Sequence, residues 1–303
     1  MTADGQQFYD WIIKPFEAEL KQANIQTIIY APDGQLRYIP LAALHDGKQW
    51  LIENYRINNI TASSLTDLTP REYSLPTVLA AAATNSQNIK VGDRSISFGA
   101  LPATKTEVEA IAALIKGTTT LIDQRFSKAE ILPKMQKNTI VHLATHGHFA
   151  VGQPEDSFII FGDGDKATLK DIKNWTLTNV SLVVLSACET AIGGKLGTGV
   201  EILGLGYQMQ DAGAAASIAS LWKVSDDGTN ELMQKLYKNL SQKNTSSSEA
   251  LRQAQIGMIR SDKKGTSSDR AGVRVVGTVP NSPDGKLSHP FYWSAFILIG
   301  NGL

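Results

Sequence analysis

Apolar residues are spaced in two different ways along this chain, and the change falls near Pro76. Before it, Phe8, Trp11, Ile12, Phe16 and Leu20 recur at helical spacing, which predicts a helix over Phe8–Lys21. Three short apolar runs follow, at Thr27–Ala31, Leu36–Ile39 and Tyr55–Thr61. Pro32-Asp33-Gly34 separates the first two runs; Pro presets φ and Gly accepts a positive φ, so they read as strands joined by a tight turn. Residues 1–72 are therefore expected to form a helix and hairpin layer, integral to residues 73–303 and without a core of its own.

Beyond Pro76, continuous apolar runs alternate with helical periodicities. Strands are expected at Thr77–Ala83, Thr118–Ile122, Asn138–Thr145, Val180–Ala187, Ala215–Leu221 and Tyr292–Ile299. Helices are expected at Thr104–Ile115, Ser127–Met135, Thr198–Ala212, Asp226–Leu240 and Ser247–Ile259. Thr104 and Glu107 have capping-box spacing, and Ser127 and Asp226 suit the caps of the helices they open. Strands alternating with helices imply an α/β fold with a mainly parallel central sheet and helices on both faces. The stretch 261–288, rich in Ser, Gly, Lys, Arg, Asp and Pro, interrupts the pattern and reads as a mobile surface loop.

Two of these strands end in reactive side chains. Ile140-Val-His-Leu-Ala-Thr-His-Gly-His presents His146 and then Gly147 at its end. Leu182-Val-Val-Leu-Ser-Ala-Cys-Glu-Thr presents Cys188, the single cysteine of 303 residues. Parallel strands ending on one rim bring a thiol and an imidazole together, as a cysteine nucleophile with a histidine base requires. A free thiol is only a few per cent thiolate at neutral pH, so the base matters. The backbone N–H groups of Gly147 and Cys188 are candidate donors to a developing oxyanion. Gly193-Gly194, just beyond, suit a loop that admits an extended peptide. A lone cysteine at the end of an apolar strand is also a common packing residue, so both readings stand on spacing alone.

Composition narrows the class. Lys+Arg and Asp+Glu each number 29, so no net field draws nucleic acid or an anionic membrane. One cysteine closes no internal disulfide, and the polar segment Met1-Thr-Ala-Asp-Gly-Gln-Gln does not resemble a signal peptide. No apolar stretch approaches the roughly 18 residues that a spanning helix needs. A cytoplasmic protein is the expectation. His142, His146 and His148 alternate onto one strand face, but no further ligands are placed, so neither a metal nor a cofactor is expected. The glycines of Gly193–Gly206 fit neither the dinucleotide nor the P-loop spacing. Trp175 and Trp293 read as packing residues, and Lys263, Lys264, Arg270 and Arg274 as a solvated part of the loop.

Several segments, taken in order, resemble the CHAT domain, a caspase-like family related to separases, caspases and metacaspases. They are Pro-Asp-Gly-Gln-Leu-Arg-Tyr-Ile-Pro-Leu-Ala-Ala-Leu (32–44), His-Leu-Ala-Thr-His-Gly-His-Phe (142–149) and Leu-Val-Val-Leu-Ser-Ala-Cys-Glu-Thr (182–190). Ala-Ser-Leu-Trp-Lys-Val-Ser-Asp (219–226), Glu-Ala-Leu-Arg-Gln-Ala-Gln (249–255) and His-Pro-Phe-Tyr-Trp-Ser-Ala-Phe (289–296) continue the match, which runs from about Tyr9 to Gly300. The resemblance implies a caspase-like α/β sandwich and a cysteine endopeptidase acting on protein or peptide substrates. It implies His146 and Cys188 as the dyad, the Gly147 and Cys188 amides as the oxyanion hole, and no required third member. It also implies a regulatory partner or an attached repeat domain.

The strand at Ala215–Leu221 and the loop after it would, by that resemblance, border the pocket for the substrate residue before the cleaved bond. Asp226 there, or Asp156 on the loop near His146, would favour Arg or Lys; for Asp226 the helix cap is the competing role. The alternative to a peptidase is a caspase-like interaction or signalling module with latent or no activity. Redox sensing at Cys188 lacks a resolving cysteine.

Overall fold

The continuous apolar runs become the middle of an eight-stranded sheet. The computed structural model describes residues 2–70, 75–92, 94–148, 150, 156–186, 200–222, 224–262 and 286–303. In chain order the strands are β1 (Thr27–Tyr30), β2 (Arg56–Asn59), β3 (Val78–Ala82), β4 (Gln87–Val91), β5 (Arg94–Phe98), β6 (Thr119–Ile122) and β7 (Ile140–Ala144). Then follow β8 (Gly147–His148), β9 (Phe158–Ile160), β10 (Lys166–Thr168), β11 (Leu182–Leu185), β12 (Ala216–Ser220) and β13 (Phe296–Gly300). The α-helices are α1 (Thr2–Ile12), α2 (Glu17–Gln22), α3 (Leu51–Asn54), α4 (Ala103–Leu114) and α5 (Lys128–Met135). They continue with α6 (Leu169–Ile172), α7 (Val200–Asp211), α8 (Asp226–Leu240), α9 (Ser247–Ile259) and α10 (Pro290–Trp293).

The large sheet has the order β1-β2-β13-β12-β11-β7-β3-β6. From β6 to β12 the neighbours are parallel, so five carboxyl ends share one rim. β13 runs antiparallel to β12 and therefore starts at that rim. Both faces are covered. Val108 and Ile111 of α4, Leu232 and Leu236 of α8, and Ala250 and Leu251 of α9 pack on one. Ile131 and Met135 of α5 and Leu205 and Met209 of α7 pack on the other. Adjacent residues of β7 and β11 face opposite cores and every one is buried, which is why these strands are continuously apolar apart from His142.

The amino-terminal part departs from the sequence expectation. Pro15 opens a 3-10 turn at Lys14–Phe16, so the single expected helix is split between α1 and α2. Trp11 and Phe16, expected on its apolar face, are 62% and 60% exposed. Asp33 accepts from the Gly34 N–H and pairs with Arg37, which curls residues Gly34–Tyr38 into a 3-10 helix where a strand was expected. The expected pairing of Thr27–Ala31 with Leu36–Ile39 is therefore not formed; β1 instead has β2 as a parallel neighbour, joined by a long crossover, at the edge of the large sheet. Tyr292 likewise belongs to α10, set by Pro290 at its first position, and not to the final strand.

Ser127 caps α5 as expected, accepting from the Glu130 N–H. Thr104 and Glu107 do not form the expected box: Thr104 Oγ1 donates to the Leu101 carbonyl at 2.6 Å, and Glu107 turns into the core. Asp226 is the first helical residue of α8; the cap is Ser225, which accepts from the Gly228 N–H. The expected loop at 261–288 lies largely outside the described residues, with Lys263, Lys264, Arg270 and Arg274.

Gly206 is where α7 crosses β13, and a Cβ there would meet Ile299 Cγ2 at 2.5 Å. Gly206→Ala is expected to destabilise by about 1–3 kcal/mol despite the better helix propensity of alanine. The midpoint of urea unfolding measures it, and an unchanged midpoint would show that the contact yields freely.

Tyr237 of α8 is buried, and its hydroxyl has no hydrogen-bond partner among the described residues. Burial first, and then the charge of Glu107, hold its pKa well above 10.0. The folded state thus retains a proton that the unfolded chain releases near about pH 10, so stability is full below that pH and falls above it. Tyr9, pushed up to about 12 by burial and then by Glu17, acts in the same direction. Tyr237→Phe is expected to flatten the alkaline fall between about pH 9 and pH 11 in urea titrations, with little change at the lower value. An equal slope in parent and variant would remove Tyr237 from this account.

Candidate active site

His146 stands two residues beyond the end of β7, on the shared rim. Its position is set from three sides. Thr145 Oγ1 donates to the Ile160 carbonyl at 2.6 Å, and the Ile160 N–H donates to the His146 carbonyl at 3.0 Å. Phe98, the last residue of β5, lays its ring 5.2 Å from the imidazole. The next carbonyl, that of Gly99, lies 2.7 Å from His146 Nε2.

That last contact fixes the chemistry of the ring. A carbonyl oxygen only accepts, so Nε2 carries the proton and Nδ1 is the basic nitrogen of the neutral imidazole. The ring is 1% exposed, which keeps bulk water from competing for the bond. Gly99 is the residue that sequence reasoning missed. β4 and β5, which deliver it, form an antiparallel hairpin around Gly92 with φ +58°. Its signal was present: Ile89 and Val91 alternate before the turn, and Ile96 and Phe98 after it.

Gly147 begins β8, buried and opposite Ile159 of β9. The bond between Ile160 and His146 makes 147 and 159 a non-hydrogen-bonded pair, so the Gly147 N–H points away from β9. It is thereby oriented to serve another acceptor. β11 ends at Leu185, paired with Leu143 of β7, and Ser186 still donates its N–H to the Leu143 carbonyl at 3.2 Å. Cys188 lies outside the described residues, as do Gly193 and Gly194.

The other marked residues separate. His142 is in the core, with Nε2 2.9 Å from Glu107 Oε1. His148 sits with its ring 5.1 Å from Phe158. Among the described residues no group of three or more His, Cys, Asp or Glu is arranged to hold a metal ion. Asp156 is exposed, one residue before the buried Ser157 whose hydroxyl accepts from the Ala150 N–H. Asp226 opens α8 beyond the end of β12. Trp293 is buried and Trp175 nearly so. On the same rim, after β12, Trp222 lines a cleft of about 230 Å³ with Phe8, Tyr38, Trp50, Phe291 and Ser294. Among the described residues no charged side chain lines that cleft. No helix among the described residues is long and apolar enough to cross a membrane.

A sequence profile of the CHAT domain matches residues 2–301. No curated protein sequence matches the chain. Among solved structures, the complex of Porphyromonas gingivalis RgpB pro- and mature domains is similar with a TM-score of 0.55 and 11% identity. That match covers 100% of this chain and 69% of the other. The Saccharomyces cerevisiae separase–securin complex matches with a TM-score of 0.51 and 14% identity, over 87% of this chain and 15% of that one. The Arg-specific cysteine proteinase gingipain R aligns at 10% identity and a TM-score of 0.49, covering 82% of this chain and 55% of its own. At these identities the likeness is one of fold, and the fold is the caspase-like α/β sandwich.

Proposed function

This chain belongs to the CHAT domain family, and on that premise we propose that it is a cysteine endopeptidase that cleaves protein substrates through Cys188 and His146. The observation that carries the reading is the hydrogen bond from His146 Nε2 to the Gly99 carbonyl, which leaves Nδ1 as a base on the rim. Strand register supports it as well. Leu182 pairs with Ile140, and 182 and 140 differ by 42, the same separation as 188 and 146.

In the reaction, Cys188 Sγ attacks the scissile carbonyl carbon and its proton passes to His146 Nδ1. The C–N bond then breaks, the amine leaves with that proton, and water hydrolyses the thioester with His146 again as base. The Gly147 N–H, directed away from β9, and that of Cys188 are the proposed donors to the oxyanion. A carbonyl in place of a carboxylate behind His146 suffices to orient the ring. Asp156 and Asp226 are the proposed pocket carboxylates for Arg or Lys before the cleaved bond. Regulation by a partner or attached domain is also proposed, by likeness to the RgpB complex of pro- and mature domains and the separase–securin complex.

A latent or inactive interaction module is the second reading, and the near-complete burial of His146 favours latency. Profiling on a diverse peptide library, with Cys188→Ala as control, tests the first. Cleavage lost in the variant supports it; equal cleavage overturns it. Failure of a cysteine-directed peptide probe to label Cys188 under any partner or cofactor condition points to the second.

A further inference from the structure

Glu107 and His142 are 1% and 0% exposed, yet neither takes part in the chemistry proposed above. His142 sits in the middle of β7, between Ala80 of β3 and Val184 of β11 in register. It turns to the face covered by α4 and α8. There its Nε2 lies 2.9 Å from Glu107 Oε1, a close carboxylate–imidazole pair by distance rather than an aligned hydrogen bond. The Tyr237 ring meets the imidazole edge-on, with centroids 5.4 Å apart. Val108, Ile111 and Leu236 belong to the same buried cluster on this face.

For stability such a pair is a poor investment, because well-packed apolar residues of similar volume often serve as well or better. Its value lies in where it sits. Glu107 is in the second turn of α4, and the chain enters α4 from Gly99 through Leu101 and Pro102. Leu101 is pinned by its N–H to the Thr84 carbonyl, and its own carbonyl accepts from Thr104. The segment 98–107 is therefore a short rigid arm gripped by β7 and its extension at two histidines four residues apart. His142 holds the helix through Glu107, and His146 meets the Gly99 carbonyl at the other end.

We propose that the Glu107–His142 pair is a positioning device for the His146 base: it sets α4 against β7 and thereby holds the Gly99 carbonyl on Nε2. Apolar packing alone tolerates sliding of a helix along a strand, whereas drawing a close, buried carboxylate–imidazole pair apart takes each group away from the one facing it and is costly. Displacing Gly99 releases the ring to rotate and exchange tautomers, and the base at Nδ1 is lost while the fold persists. The proposal rests on the peptidase reading for its kinetic consequence but not for its structural one.

The test uses the full chain and two variants. Glu107→Met with His142→Leu replaces the pair by apolar groups of similar volume. Glu107→Asp keeps the charge but draws it back by one methylene. Urea unfolding reports stability, ring 15N chemical shifts report the tautomer of His146, and kcat and KM are read on the best library peptide. A folded variant is expected to lose the Nε2–H tautomer signal of His146 and to lower kcat about 100-fold with KM little changed. Either variant, folded and with the parent tautomer signal, overturns the proposal whatever its kcat. If the parent cleaves nothing, the peptidase reading fails, and the tautomer signal still decides the role of the pair.

Discussion

On the proposed mechanism, His146→Ala is expected to lower kcat/KM on the best library peptide by about 100- to 10,000-fold, the usual contribution of a positioned general base. Cys188→Ala is expected to remove cleavage altogether, since no other thiol is present in the sequence. The two losses differ in kind. Without His146 the thiol still ionises at alkaline pH, so His146→Ala recovers part of its rate as pH rises through the ordinary thiol range near about 8.5. Cys188→Ala recovers nothing. Alkylation of Cys188 over the same pH range gives an independent readout, with the reactive fraction expected to move to higher pH in His146→Ala. A His146→Ala enzyme within about twofold of the parent at neutral pH would sink the dyad.

Trp293→Ala is expected to remove about 3–5 kcal/mol of stability, enough to unfold a domain of ordinary stability in part. Trp293 is 0% exposed and meets Trp50 edge-on at 5.5 Å, joining the amino-terminal segment to the carboxyl-terminal one. Its indole N–H donates to the Ser288 carbonyl at 3.0 Å, and its own carbonyl accepts from Gln255 Nε2 at 3.0 Å. Truncation leaves both a cavity and an unsatisfied carbonyl at Ser288. Differential scanning calorimetry measures the loss, and an unchanged transition would mean that the surrounding aromatic residues collapse into the space.

The parallel core was legible because burial on both faces leaves one signature, an unbroken apolar run; Val78–Ala82 and Leu182–Leu185 carry it plainly. The helices α8 and α9 were readable to the residue because Ser and Asp clusters mark their starts. Shorter elements were not. Residues 34–38 have strand-like composition, but a local pairing of Asp33 and Arg37 outweighed it. Glu107 looked like a capping residue from its spacing, because sequence distance within one helix is visible and the buried imidazole of a strand 35 residues away is not. The same limit hid Gly99: a backbone carbonyl has no letter in the sequence, and only the fold shows which one faces His146.

β13 separates β2 from the rest of the large sheet, and the Asn59 amide donates to the Leu298 carbonyl across 239 residues of sequence. Emerging from the ribosome, β1 and β2 therefore have no place to dock until β13 has been made. The sheet is expected to grow from its parallel centre outward, with its first-synthesised strands seated last. Closing such a long loop is slow, and the waiting edge is exposed meanwhile to pairing with other chains. Expression yield should consequently respond to chaperone supply far more than to any change at the rim that holds His146.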